Sequence, residues 1–157
     1  MTIKLFLKDF MTSKKINTIV TPTEKKFKEH LQQHLPENIE IHCKVRFADV
    51  LHPDIGNRLD AWRDKKFLMM HIDYTLVIRE TQEIILAIEL DDKSHKKSDR
   101  TSNDTKKNEM LAKSKVWYAR VPVEKMYDPT IIKKITAFCK KKIATANTIN
   151  QTDTAPS

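Results

Sequence analysis

The chain has 157 residues and a mass of 18.4 kDa, room for a single core. Lysine and arginine outnumber aspartate and glutamate 29 to 21, a net charge of +8 that favours a polyanionic partner, either nucleic acid or an anionic membrane face. Its one glycine, Gly56, excludes the Walker loop, the dinucleotide fingerprint and the G-x-S-x-G hydrolase elbow, each of which needs two or more glycines at fixed spacing.

Residues 1–20 read as a basic N-terminal arm, with Lys4, Lys8, Lys14 and Lys15 against Asp9. These charges break the opening apolar residues too often for a signal-peptide core, and no apolar run approaches the about 20 residues of a membrane span. Cys43 and Cys139 lie far apart, with no C-x-x-C zinc or redox pattern. A soluble cytoplasmic protein is expected.

The domain proper is expected over residues 21–144. Thr21 is a helix N-cap, Pro22 suits the first helical position and Glu24 completes a capping box. Phe27, Leu31 and Leu35 follow as an apolar stripe that Pro36 ends. Residues 39–50 alternate as a strand through Ile39, Ile41, Cys43, Val45 and Phe47. A loop with Pro53, Asp54, Gly56 and Asn57 occupies 52–66, and the second part of Phe67 to Ile78 reads as the next strand. Residues 83–91 are apolar almost without break until Glu89, as in a central strand buried on both faces. The later part of the polar, basic stretch 92–115 is expected to be helical, and Val116 to Val123 to be a short strand. Asp128-Pro129 starts a last helix carrying Ile131, Ile132, Ile135, Phe138, Cys139 and Ile143 at helical spacing. Residues 145–157, rich in Thr, Asn, Gln, Ser and Pro, are expected to be a disordered tail. The order αβββαβα predicts an α/β domain around a small mixed sheet.

Side chains two apart on a strand share a face. Asp73 therefore shares one with His71 and Thr75, and Glu89 shares one with Asp91. If their strands pair, three carboxylates converge near one strand end. Unpaired, they would repel, and a hard divalent cation, Mg²⁺ or Mn²⁺, would remove that penalty through Asp73, Glu89 and Asp91. His95 is placed to act as a general base or a further ligand, and Lys93 to offset charge on a phosphate. From Lys93 to Lys115 eight lysines or arginines, among them Lys96, Lys97, Arg100, Lys106 and Lys107, face only Asp99, Asp104 and Glu109. Acids within a basic surround suit metal-assisted phosphodiester cleavage: the acids hold the metal and the bases hold the polyanion.

The motifs Thr21-Pro22-x-Glu24-x-x-Phe27, Val45-x-Phe47-Ala48-Asp49-Val50, His71-Ile72-Asp73-Tyr74, Ala87-Ile88-Glu89-Leu90-Asp91-Asp92-x-Ser94-His95, the trio Arg100, Asp104 and Lys107, and Tyr118-Ala119-Arg120-Val121 carry a resemblance. Over roughly residues 20–123 the chain resembles the PD-(D/E)xK, or restriction-endonuclease-like, nuclease superfamily. Within it the chain is similar to a branch of bacterial domains related to very-short-patch-repair endonucleases. The resemblance implies a restriction-endonuclease-like core and a metal-dependent DNA endonuclease, with Asp73 as first acid and Glu89 as second. The superfamily's lysine would fall two residues after Glu89, where this chain has Asp91, so Lys93 or His95 is left to supply the basic function. A homodimer or a larger DNA-processing complex, as in DNA repair, is a further expectation.

Each motif also has a structural reading. Glu24 serves the capping box as readily as a metal, and Asp73, Glu89 and Asp91 suit an ion-pair network with nearby lysines. Asp104 and Arg120 suit a brace between the helix and the last strand. Lys140-Lys141-Lys142 reads as a solvated helix face, Trp62 as loop packing, and Trp117 and Tyr118 as strand residues in the core or at its edge. His30 and His34 share a helix face at i, i+4 but have no nearby carboxylate in sequence. Two further functions stay open: a catalytically inactive nuclease-like scaffold that binds nucleic acid, and a protein-interaction partner.

Overall fold

The computed structural model describes residues 18–51, 69–91 and 100–152, without the side chains of residues 100–104, 106 and 147–152. Its elements are α1 (Pro22–Gln32), β1 (Ile39–Arg46), α2 (Phe47–Val50), β2 (His71–Ile78), β3 (Ile84–Asp91), α3 (Arg100–Lys113), β4 (Trp117–Pro122), a 3-10 turn (Val123–Lys125) and α4 (Pro129–Thr152). The strands form one mixed sheet in the order β1-β2-β3-β4. β1, β2 and β3 pair antiparallel as a meander, and β4 runs parallel to β3. The basic arm lies outside the described residues up to position 17, as does the whole of the 52–66 loop with Trp62.

Helix α1 starts as its residues dictate. The Glu24 backbone N–H donates to the Thr21 hydroxyl, and the Thr21 N–H donates back to the Glu24 carboxylate at 2.7 Å. Its apolar stripe buries Phe27 and Leu31 against the sheet. Phe27 meets Tyr74 of β2 edge to face, with ring centroids 5.4 Å apart, and the Tyr74 hydroxyl donates to the Glu24 carbonyl at 2.8 Å. α4 packs on the same face through Ile132, Ile135 and Cys139. The opposite face buries Ala87 with Phe47 and Val50 of α2, Leu111 of α3, and Val116. Both cysteines are free thiols.

Two boundaries differ from the sequence expectation. The first strand stops at Arg46, not at residue 50, because the chain turns into α2. There Phe47 and Val50, three apart, are both buried, the Phe47 N–H donates to the Met70 carbonyl at 2.8 Å, and Arg46 grips Asp49 through two hydrogen bonds. The last helix runs to Thr152, through the first half of the segment expected to be disordered. Ala146 continues its buried stripe and packs on the core, which outweighs the polar composition of the segment. Among the described residues no helix is long and apolar enough to cross a membrane.

The α1 contact with β2 sets the first prediction. Phe27→Ala should cost about 3–5 kcal/mol of unfolding free energy. Tyr74→Phe, which removes only the hydroxyl bonded to Glu24, should cost about 1 kcal/mol. Urea unfolding of the two variants against wild type measures both.

Candidate functional site

Antiparallel β2 and β3 bring the start of one strand beside the end of the other, and parallel β4 ends at the same edge. Tyr74 pairs with Ile88, so Asp73 and Glu89 are the next residues outward on the two strands. Strand parity puts Asp73, Glu89, Asp91, Tyr118 and Arg120 on the face opposite Tyr74, Ile88 and Val121. Helix α3 covers that face.

Glu89 is the centre of one cluster. It pairs with the ammonium of Lys107, which reaches it from α3. Its Oε2 accepts from the Tyr118 hydroxyl at 2.8 Å and lies 3.9 Å from Arg120. Arg120 donates through Nε to the Tyr118 oxygen at 3.0 Å and reaches Asp91 at 3.7 Å. Lys107 is only 2% exposed. The rings of Phe47 and Tyr118 each lie 5.8 Å from its nitrogen and turn polarizable faces to a charge that water does not reach. Burial and the Arg120 guanidinium push the ammonium down to about 8, against the pull of Asp73. The lysine is still cationic at neutral pH.

Lys44 of β1 is the centre of a second cluster. Its ammonium donates to Asp73 at 2.6 Å and to Glu24 at 2.7 Å. The other Asp73 oxygen accepts the Leu90 backbone N–H at 3.0 Å, so this carboxylate ties β1 to β3 across β2. Burial pushes the Glu24 carboxyl up, but Lys44 and the Thr21 N–H outweigh it and hold the group below its ordinary value. Lys44 reaches both acids from a left-handed backbone, φ 55°, in mid-strand. A side chain other than glycine adopts that conformation at a cost of order 1 kcal/mol.

The expected residues divide accordingly. Asp73 and Glu89 come to one edge, each held by a lysine, and Asp91 joins Glu89 through Arg120. Glu24 fills its capping role and also pairs with Lys44. Arg120 ties β4 to β3 through Glu89 and Asp91, rather than bracing the helix against the last strand. Lys107, expected among the lysines that hold the polyanion, is buried against Glu89. Lys93, His95, Lys96 and Lys97 lie outside the described residues; Arg100, Asp104 and Lys106 lie on α3 with side chains outside the description. Among the described residues, no group of three or more His, Cys, Asp or Glu side chains stands ready to hold a metal ion. The hard oxygens of Asp73 and Glu89 nevertheless have the donor chemistry that Mg²⁺ or Mn²⁺ takes. Sequence reasoning missed Lys44 and the buried role of Lys107. For Lys107 a signal exists: Lys107, Leu111 and Ser114 recur at helical spacing, and all three are buried.

The two lysine clusters set pH responses of the same sign in different windows. The ammonium of Lys107 is lost near pH 8 in the native state and near 10.5 when unfolded. Between those values the unfolded chain binds the extra proton, so this group makes stability rise with pH. The unfolding free energy of wild type relative to Lys107→Met should therefore increase across that window, as urea titrations at several pH values measure. Glu24 acts in the same sense on the acid side. Its depressed pKa stabilises the fold above its ordinary 4.5, and that contribution is lost as pH falls below it. Lys44→Met should cost about 1–3 kcal/mol at neutral pH and flatten the acid side of the stability profile.

A family model described as protein of unknown function (DUF2726) matches residues 16–137. No curated protein and no solved structure matches the chain. The family match takes in every described strand and both lysine-centred clusters, and the chain belongs to the DUF2726 family.

Proposed function

We propose that the protein is a metal-dependent DNA endonuclease of the PD-(D/E)xK type, with its site at the shared end of β2, β3 and β4. The observation that carries this reading is the meeting of Asp73 and Glu89 on adjacent strands with the buried ammonium of Lys107. The net charge of +8 supports a polyanionic substrate. The resemblance set out above supports the reading too, and a four-stranded mixed sheet between helices is compatible with a restriction-endonuclease-like core.

In this reading Asp73 and Glu89 hold the cation, with Asp91 at the margin. A bound Mg²⁺ or Mn²⁺ would polarise the phosphoryl oxygens and lower the pKa of water. Lys107 takes the basic role for which position 91 has no lysine. It keeps a proton on Nζ at neutral pH and sets a fixed positive charge beside Glu89, where negative charge on phosphorus is to be offset. Tyr118 and Arg120 orient the Glu89 carboxylate. Lys44 orients Asp73 and supplies a second fixed cation. His95 and Lys93 remain candidates for assistance.

A second reading has its own observation. Lys44 and Lys107 already neutralise Asp73 and Glu89 without any metal, as in a purely structural ion-pair network. On that reading the protein is an inactive nuclease-like scaffold that binds nucleic acid.

Nicking of supercoiled plasmid under Mg²⁺ and Mn²⁺ titration separates the two. The nuclease reading expects metal-dependent nicking by wild type, reduced about 100-fold or more in Glu89→Ala, Asp73→Asn and Lys107→Ala. Salt-sensitive DNA binding that ignores both metal and Glu89→Ala, with no nicking, would establish the scaffold reading instead.

A further inference from the structure

The outer edge of β4 carries a groove that the carboxylate site does not use. It lies between α3 and α4, has a volume of about 630 Å³, and is lined by Asn108, Lys115, Trp117, Tyr118 and Lys142 among others. β4 is the last strand of the sheet, so no strand among the described residues covers this edge. Trp117 is 59% exposed, unusual for the largest apolar side chain. One side of its indole is supported by Phe138 of α4, with ring centroids 5.3 Å apart. Lys142 lies 5.9 Å above that same Phe138 ring. Lys115, at φ 60° just past the end of α3, lines the same groove. Neither lysine is paired with a carboxylate among the described residues. A supported aromatic face between two uncompensated cations is complementary to a base and its phosphates, not to an apolar or cationic partner.

The groove also aligns with the site. Trp117 opens β4, and Arg120, which contacts Glu89 and Asp91, lies three residues further along the same strand. At about 3.3 Å per residue the two positions are about 10 Å apart along the strand, on opposite faces of the sheet. Tyr118 belongs to both places: it lines the groove, and its hydroxyl holds Glu89.

We infer that the β4 edge groove binds single-stranded nucleic acid, with an unpaired base stacked on Trp117 and its flanking phosphates against Lys115 and Lys142. The inference rests on the nucleic-acid reading above and narrows it. A base inside a duplex cannot offer its face to the indole, so the preferred substrate has a single-stranded segment beside the phosphate to be cut.

Fluorescence anisotropy tests this, with a labelled oligothymidylate and a labelled duplex of equal length. Low salt and EDTA keep binding free of cleavage. Trp117→Ala should weaken the single strand roughly 5- to 30-fold and the duplex less than about twofold, and Trp117→Phe should keep most of the affinity. Lys115→Glu combined with Lys142→Glu should weaken the single strand even if Trp117→Ala proves poorly folded. Equal loss on both probes, or no loss on the single strand from any variant, would overturn the inference. So would a dimer, seen by light scattering, that dissociates in Trp117→Ala while single-strand affinity is unchanged; the groove would then belong to a second copy. The two proposals can fail separately. A protein that nicks no plasmid but binds single strands through Trp117 keeps the groove and loses the catalytic reading. A metal-dependent nuclease whose single-strand affinity ignores Trp117 does the reverse.

Discussion

An ammonium group shut away from water is costly, by several kcal/mol for an unpaired ion. Much of this molecule is arranged to meet that cost at Lys107. The compensating charge comes from Glu89 on β3, the polarizable surroundings from Phe47 and Tyr118, and the second cation, Arg120, is drawn away toward Asp91. The partners sit on α2, β3 and β4, so the pair dictates how those elements meet α3. Helix α3 must dock with Lys107 inward, β4 must pair with β3 so that Arg120 stands beside Glu89, and the chain must turn into α2 at Phe47.

The Lys44 cluster is built on the same logic at the other side of β2. An acid from a helix start, an acid from a strand and a lysine from the neighbouring strand close on one another at 2.6 and 2.7 Å. The exposed pair of Lys25 with Glu29 joins neighbours on one helix and contributes at most a few tenths of a kcal/mol. These inner pairs join elements far apart in sequence and are shielded from salt, so they have more influence on the architecture. Charge alternates along the edge from acid to base to acid, which orients each carboxylate.

Much of this was legible in the residues. Capping chemistry located α1, alternation located β2 and the strand parity of Glu89 and Asp91, and the proline at position 129 located α4. Other features turned on three-dimensional packing. Nothing in Cys43-Lys44-Val45 announces a left-handed residue, because the usual signals are glycine and asparagine. Phe47 fits a strand pattern as well as a helical turn, and only burial together with Val50 decides. Lys107 was counted with the other bases of a charged run; its helical phase with Leu111 shows it to be an inward position. Trp117 was read as a core or edge residue, and it is the edge that holds, since α4 supports one side of the ring and leaves the other open.

The parallel pairing of β3 with β4 has a consequence for the order in which the molecule assembles. The β2–β3 hairpin, joined by the five residues 79–83, can form early, whereas β1 reaches β2 across the 24 residues 47–70. The β3–β4 ladder must wait for a connection of 25 residues, from Asp92 to Val116, to close, and loop closure of that length slows contact formation. Until it does, Glu89 stands at the end of a half-built sheet without Lys107, Tyr118 or Arg120, which all belong to the later segment. The charges at this edge are therefore balanced only once α3 and β4 have docked. That links completion of the site to completion of the fold, and a partly folded molecule would display bare acids where the finished one displays a balanced cluster.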